Sequence, residues 1–212
     1  MKKWLVILVC TIFTLLGTSA YGQTGTPLGT AHVSFKVDYL SFTDSDLEDL
    51  DADSDVYFGV DGYFNVSPNF YIGGEIGYAE TDGSESAILF GVGAVSIKTE
   101  IEYLPIEVNA KYVIQSGENL TIGLGGGLSY NSVDFELKGT AFGLTIKDSD
   151  DEWLLGGQLF AEINYTIDNF FVGANVKYQL TEDFDDIRIF GVNAGDLNFS
   201  NFRVGGHVGM TF

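Results

Sequence analysis

Apolar and polar residues alternate along most of this chain. In HVSFKVDY, Val33, Phe35, Val37 and Tyr39 share one parity, against His32, Ser34, Lys36 and Asp38. Successive side chains of a β-strand point to opposite faces, so a two-residue period predicts a strand with one apolar side. VYFGVDGYF sets Val56, Phe58, Val60 and Phe64 against Tyr57, Asp61 and Tyr63. FYIGGEIGY sets Phe70, Ile72, Ile76 and Tyr78 against Tyr71 and Glu75. LPIEVNAKY gives Leu104, Ile106, Val108, Ala110 and Tyr112 against Glu107, Asn109 and Lys111. LTIGLGGGLSY gives Leu120, Ile122, Leu124, Leu128 and Tyr130 against Thr121, three glycines and Ser129. LGGQLFAEINY gives Leu155, Leu159, Ala161, Ile163 and Tyr165 against Gln158, Phe160, Glu162 and Asn164. FFVGANVKY gives Phe170, Val172, Ala174, Val176 and Tyr178 against Phe171, Asn175 and Lys177. FRVGGHVGMTF closes the series, with Phe202, Val204, Val208, Met210 and Phe212 against Arg203, His207 and Thr211. That makes eight strands.

The connectors between them are sorted by length. NVSPN, VIQSGEN and TIDN are short and join strands two to three, four to five and six to seven. The connectors at about 42–55, 80–102, 131–152 and 180–201 are long. Short turns at one end and long loops at the other mark a transmembrane barrel. The apolar rows also end in aromatic residues. Phe64, Phe70, Tyr112, Tyr165, Phe170 and Phe212 fall at the short-turn ends, and Tyr39, Phe58, Tyr78, Tyr130, Tyr178 and Phe202 at the loop ends. Amphipathic rings suit the headgroup level, so these predict two belts about one bilayer apart. The expected fold is all-β: an eight-stranded antiparallel up-and-down transmembrane β-barrel with short periplasmic turns and long extracellular loops. Its apolar face meets lipid, and the last strand pairs with the first. AVSIKTEIEY, FELKG and FGLTIKD alternate inside the long connectors, so the hairpins should continue beyond the membrane. The competing architecture is a secreted lipocalin-like barrel, with the apolar face turned inward.

The first residues predict export, which either architecture requires. Lys2 and Lys3 precede an apolar run from Trp4 to Leu16, and Ala20 and Gly22 stand where a cleavage site needs small residues. This predicts a signal peptide over 1–22 and a barrel domain over 23–212. Cys10 interrupts the apolar run instead of ending it, which does not suit lipidation. As the single cysteine, it leaves the domain without disulfides. The formal net charge of −20 excludes nucleic acid as a partner, yet 45% of residues are hydrophobic, which excludes a disordered acidic chain.

YLPIEVNAKYVI followed by LTIGLGGGLSY resembles the fourth and fifth strands of small Gram-negative outer-membrane proteins. GDLNFSNFRVGGHVGMTF, ending in Phe212, is similar to the last strand of the outer membrane protein W (OmpW-like) family. The resemblance implies an integral protein of the cell outer membrane, set in lipid and lipopolysaccharide. It also implies that the barrel-assembly machinery reads Phe212. OmpW-like relatives suggest passage of small hydrophobic molecules through largely apolar lumens. This chain departs from that pattern by placing charges on its inner parity.

Those charges are the first candidate site. Lys36, Lys111, Lys177 and Arg203 face Asp38, Asp61, Glu75, Glu107 and Glu162 in a nearly neutral lumen. A narrow interior tolerates charges when they are paired, which predicts a bracing ion network; the sharper alternative is a gated ion path. Gly123, Gly125, Gly127, Gly205 and Gly209 also face inward, leaving room for long side chains or for a narrow channel. The first long loop carries TDSDLEDLDADSD. Asp51, Asp53 and Asp55 imitate the start of a calcium loop, but Val56 replaces the required Gly and no Glu closes it. Asp49, Asp51, Asp53 and Asp55 remain weak candidates for loose divalent-cation binding beside lipopolysaccharide phosphates. His32 and Ser34 share the inner parity, but no third acid is obvious beside them, and a rim position would be needed to meet a lipid substrate. GLGGGL is the inside of a strand with no helix after it, not a phosphate loop. The expectation is no enzyme and no cofactor, but a structural or low-conductance channel protein. The alternative is a surface adhesin or lipopolysaccharide-binding protein acting through its acidic loops.

Overall fold

In the computed structural model, the described residues are 28–45, 47, 52–89, 93–141, 144–184, 188–189, 192–193 and 197–212. The expected signal peptide with Cys10, and Asp46, Glu48, Asp49 and Asp51 of the first loop, lie outside them. Seven long strands follow one another: β1 (Ala31–Phe42), β2 (Ser54–Ser67), β3 (Phe70–Leu89), β4 (Gly93–Gln115), β5 (Leu120–Ala141), β6 (Leu144–Ile167) and β7 (Phe170–Thr181). Four two-residue pieces come next: β8 (Asp183–Phe184), β9 (Arg188–Ile189), β10 (Val192–Asn193) and β11 (Leu197–Asn198). The last long strand is β12 (Asn201–Thr211). The eight long strands form a closed antiparallel barrel in the order β1-β12-β7-β6-β5-β4-β3-β2.

Closure follows the predicted pairing. β1 meets β12 without interruption from His32↔Thr211 to Phe42↔Asn201. The seam is fastened at its lower end, where Thr30 N donates to Phe212 O at 2.8 Å and Phe212 N donates to Ala31 O at 2.8 Å. Pro68–Asn69 and Asp168–Asn169 make two of the tight turns, with Asn69 at φ 68° and Asp168 at φ 54°. Asn and Asp tolerate this left-handed region better than other side chains, so TIDN and NVSPN can reverse direction within two residues.

The apolar parity faces outward. Val108, Leu128 and Leu159 are 65%, 73% and 72% exposed, whereas Glu107, Ser129 and Gln158 on the other parity are buried. This arrangement opposes that of a soluble barrel and rules out the lipocalin-like alternative. Both aromatic belts are present on the outside. Their members fall opposite one another on neighbouring strands, as in Phe58↔Tyr78, Tyr178↔Phe202 and Phe70↔Tyr112.

β3 to β6 run for 20, 23, 22 and 24 residues, against 12, 12 and 11 for β1, β7 and β12. Crossing a bilayer needs about 9–11 tilted residues, so these four strands continue beyond the loop-end belt as one sheet. Two of the long connectors are therefore mostly strand. β3 pairs with β4 up to Leu89↔Gly93, and β5 with β6 up to Ala141↔Leu144.

Candidate functional site

The barrel interior is built in layers, which can be followed along single strands. Descending the inner parity of β1 from the loop end, Leu40 is followed by Asp38, Lys36, Ser34 and His32, all buried. On β4 the order is Ile101, Tyr103, Glu107, Asn109, Lys111 and Val113.

At the loop end lies an apolar cap. Leu47 and Ala52 from the first loop, and Phe184 and Phe199 from the last, pack with Leu40, Phe42, Ile101, Val133, Phe135 and Leu154. The two loops are tied together, since Thr43 N donates to Ser200 O at 2.8 Å and Asn198 N donates to Asp44 Oδ2 at 2.6 Å. Below the cap is a layer of amides. Gln179 Nε2 donates to Ser129 Oγ at 2.6 Å and to Asn131 Oδ1 at 2.9 Å. The Tyr103 hydroxyl stands 2.9 Å from Gln179 Oε1.

The charges come next, and Glu75 is their hub. Its Oε2 accepts from Lys36 and Lys177, each at 2.9 Å, and its Oε1 accepts from Tyr57 at 2.8 Å and Arg203 at 3.2 Å. Glu107 accepts from Lys177 at 2.5 Å and from Arg203. Lys36 also pairs with Asp61 at 2.8 Å, and Lys111 with Glu162 at 2.6 Å. Arg203 lies over the Tyr57 ring, 4.3 Å from its centroid. Eight of the nine expected lumen charges thus enter ion pairs. The ninth, Asp38, is buried too but takes a hydrogen bond from Asn175 Nδ2 at 3.1 Å.

A second apolar layer closes the turn end. Leu28 is inserted among Tyr63, Tyr71, Val113 and Phe160. Its backbone N–H donates to Tyr71 Oη at 3.0 Å, and that hydroxyl donates to Gly29 O at 3.1 Å. His32 stacks on Tyr63 with centroids 5.3 Å apart.

The inward glycines turn out to be recesses for large neighbours. A Cβ on Gly125 would lie 2.4 Å from the Phe160 ring, and one on Gly209 2.2 Å from the Phe171 ring. One on Gly123 would lie 2.7 Å from the Glu162 side chain. Of the two uses open to these glycines, the side chains beside Gly123, Gly125 and Gly209 take up the first, room for large neighbours.

The chain matches the family model described as outer membrane protein beta-barrel domain, over residues 8–212. It belongs to the outer-membrane β-barrel family. Among solved structures, neisserial surface protein A (NspA) is similar at 13% identity and TM-score 0.54, covering 87% of this chain and 98% of that one. The outer membrane protein OprG from Pseudomonas aeruginosa is similar at 14% identity and TM-score 0.53, covering 89% and 99%. No curated protein matches the sequence. At these identities the likeness shows the fold alone, and it agrees with the small outer-membrane barrels that the last strand resembles. The protein is therefore integral to the outer membrane.

Other expected residues fall apart chemically. Ser34 Oγ donates to Asp61 Oδ1 at 2.5 Å, so an acid does stand beside this serine, contrary to the sequence reading. Yet Asp61 is committed to Lys36, and neither nitrogen of His32 has a hydrogen-bond partner among the described residues. All three side chains are buried inside the barrel. In the acidic loop, Asp53 O accepts from Phe42 N, and Asp55 Oδ1 accepts from Val56 N at 2.5 Å. Among the described residues no three His, Cys, Asp or Glu side chains could jointly hold a metal ion.

The sheet beyond the belt carries its own charges. Glu136 pairs with Lys138 at 2.5 Å and with Lys147, and Lys138 reaches Glu100 at 2.9 Å. Hydrogen bonds from Lys138 and Lys147 hold the Glu136 carboxyl below its usual range. The stabilisation this gives is present above the ordinary carboxylate pKa and fades as pH falls through the lowered value. Solvent screening keeps it small.

Proposed function

We propose that this chain is a sealed structural barrel that displays a four-stranded sheet outside the cell. One observation carries the reading. An apolar cap, an amide layer, a paired charge layer and an aromatic plug succeed one another along the same interior, and the space at the inward glycines is taken by neighbouring side chains. A path for ions would need mobile water beside unpaired charges, whereas these charges are spent on one another. The expected result in planar bilayers is no steady open channel from purified, folded protein. Stable currents of general-porin size would refute the sealed interior.

The orientation supports display, since the short turns suit the periplasm and β3–β6 the exterior. Cysteines placed singly at Ser45 and Ser149 should react with an impermeant maleimide on intact cells. A cysteine at Ser116 should react only after the outer membrane is opened; labelling of both ends, or of neither, would sink this orientation. Phe212, whose ring lies outward in the turn-end belt, is the residue we expect the assembly machinery to read. The length of β3–β6 favours a second reading, in which the sheet is a surface for adhesion.

A further inference from the structure

His207 lies on β12, where the last strand meets the first, and both of its ring nitrogens are engaged. Nδ1 is 3.0 Å from Asn175 Oδ1, and Nε2 is 2.5 Å from Asn164 Oδ1. The direction of these bonds is set at their far ends. Asn175 Nδ2 donates to Asp38 Oδ1 at 3.1 Å, and Asn164 Nδ2 donates to Glu162 Oε1 at 3.1 Å. An ionised carboxylate only accepts, so each amide turns its NH₂ to the acid and its oxygen to the imidazole. A neutral imidazole has one donor and one acceptor, and would set a lone pair against one of these oxygens.

Charge balance points the same way by a separate route. The buried charges among the described residues are four Lys or Arg against five Asp or Glu. Asp38 is the acid outside every ion pair, and its Oδ2 has no partner. We propose that His207 is held as an imidazolium: a bound proton that supplies the lumen's fifth cation and answers the excess carboxylate, Asp38. The resulting chain, Asp38–Asn175–His207–Asn164–Glu162, joins β1, β7, β12 and β6 across the seam of the barrel.

Two cations, Lys36 and Lys111, act on this ring from other strands, and each is itself held by carboxylates. Lys36 on β1 is directly opposite His207, but its ammonium is drawn to Asp61 on β2 and Glu75 on β3. Lys111 on β4 is bound to Glu162. From β7 the neighbours are Asn175 and the ring of Phe171, edge-on at 5.9 Å, which carry no charge.

The test is a long-range proton–nitrogen NMR correlation on the folded full chain in micelles, labelled with ¹⁵N-histidine. The protein has two histidines, so a His32→Phe variant assigns the spectrum. The expected result near pH 7 is a His207 ring with protons on both nitrogens. A His207 ring with one unprotonated nitrogen, in either tautomer, would overturn the proposal. In folded Asp38→Asn the excess acid is gone, and a singly protonated His207 should appear at the same pH. A ring left fully in its wild-type state by that substitution would show that Asp38 does not call for the proton, and would overturn the proposal as well.

Discussion

Glu75→Gln should leave little folded barrel. The carboxylate is buried and receives Lys36, Lys177, Arg203 and the Tyr57 hydroxyl, so three cations share it. Without it Lys36 keeps only Asp61, while Lys177 and Arg203 are left to share Glu107. An amide offers one acceptor oxygen, no charge, and an NH₂ that meets donors already in place. Leaving a buried charge uncompensated costs about 3–5 kcal/mol, against about 5–15 kcal/mol for the whole fold of an ordinary domain. The SDS-resistant band that shifts on boiling should be lost or nearly so. Glu107→Gln should do less harm, because its partners Lys177 and Arg203 both keep Glu75. Adding Lys177→Met to Glu75→Gln removes one of the two cations that then compete for Glu107, and should recover part of the loss, as expected for groups in one network. Small, additive effects at all three positions would mean a wet lumen whose charges are screened.

The identity of these charges was legible before their partnership was. Parity alone puts Lys36, Glu75, Glu107, Lys177 and Arg203 on the inner face, because the period of a strand is two. Which of them meet depends on how far each strand is staggered and tilted around the ring. Arg203 reaches Glu75 across the lumen, from strands that are not neighbours, and no local pattern encodes that contact. Ser34 and Asp61 are directly opposite on β1 and β2, so their bond follows once that register is known. Tyr103, Asn131, Gln179 and Asn201 went unassigned for another reason. Each continues the inner parity of its strand, by Glu107, Ser129, Lys177 and Arg203 respectively, and that continuation was the available signal. Leu28 precedes the first alternating run, and its place in the turn-end plug had no periodicity to announce it.

Gly77→Val should damage the barrel almost as much, for a steric reason that parity cannot disclose. A Cβ at this position would fall 1.9 Å from Tyr57 Oη and 2.1 Å from its Cζ. The ring cannot easily withdraw. Tyr57 is fully buried, its hydroxyl is bound to Glu75, and the Arg203 guanidinium covers its face. Overpacking of this kind costs about 1–3 kcal/mol, and here displacement of Tyr57 also takes a donor from the charge hub. Gly139→Ala is the control, since a Cβ there meets nothing within 4 Å. The decisive variant is the pair Gly77→Val with Tyr57→Ala. If Gly77 is a recess for that ring, removing the ring should make the valine tolerable, and the double variant should be more stable than the summed single losses allow. Strict additivity would show that Gly77 is needed for its backbone and not for the space it leaves.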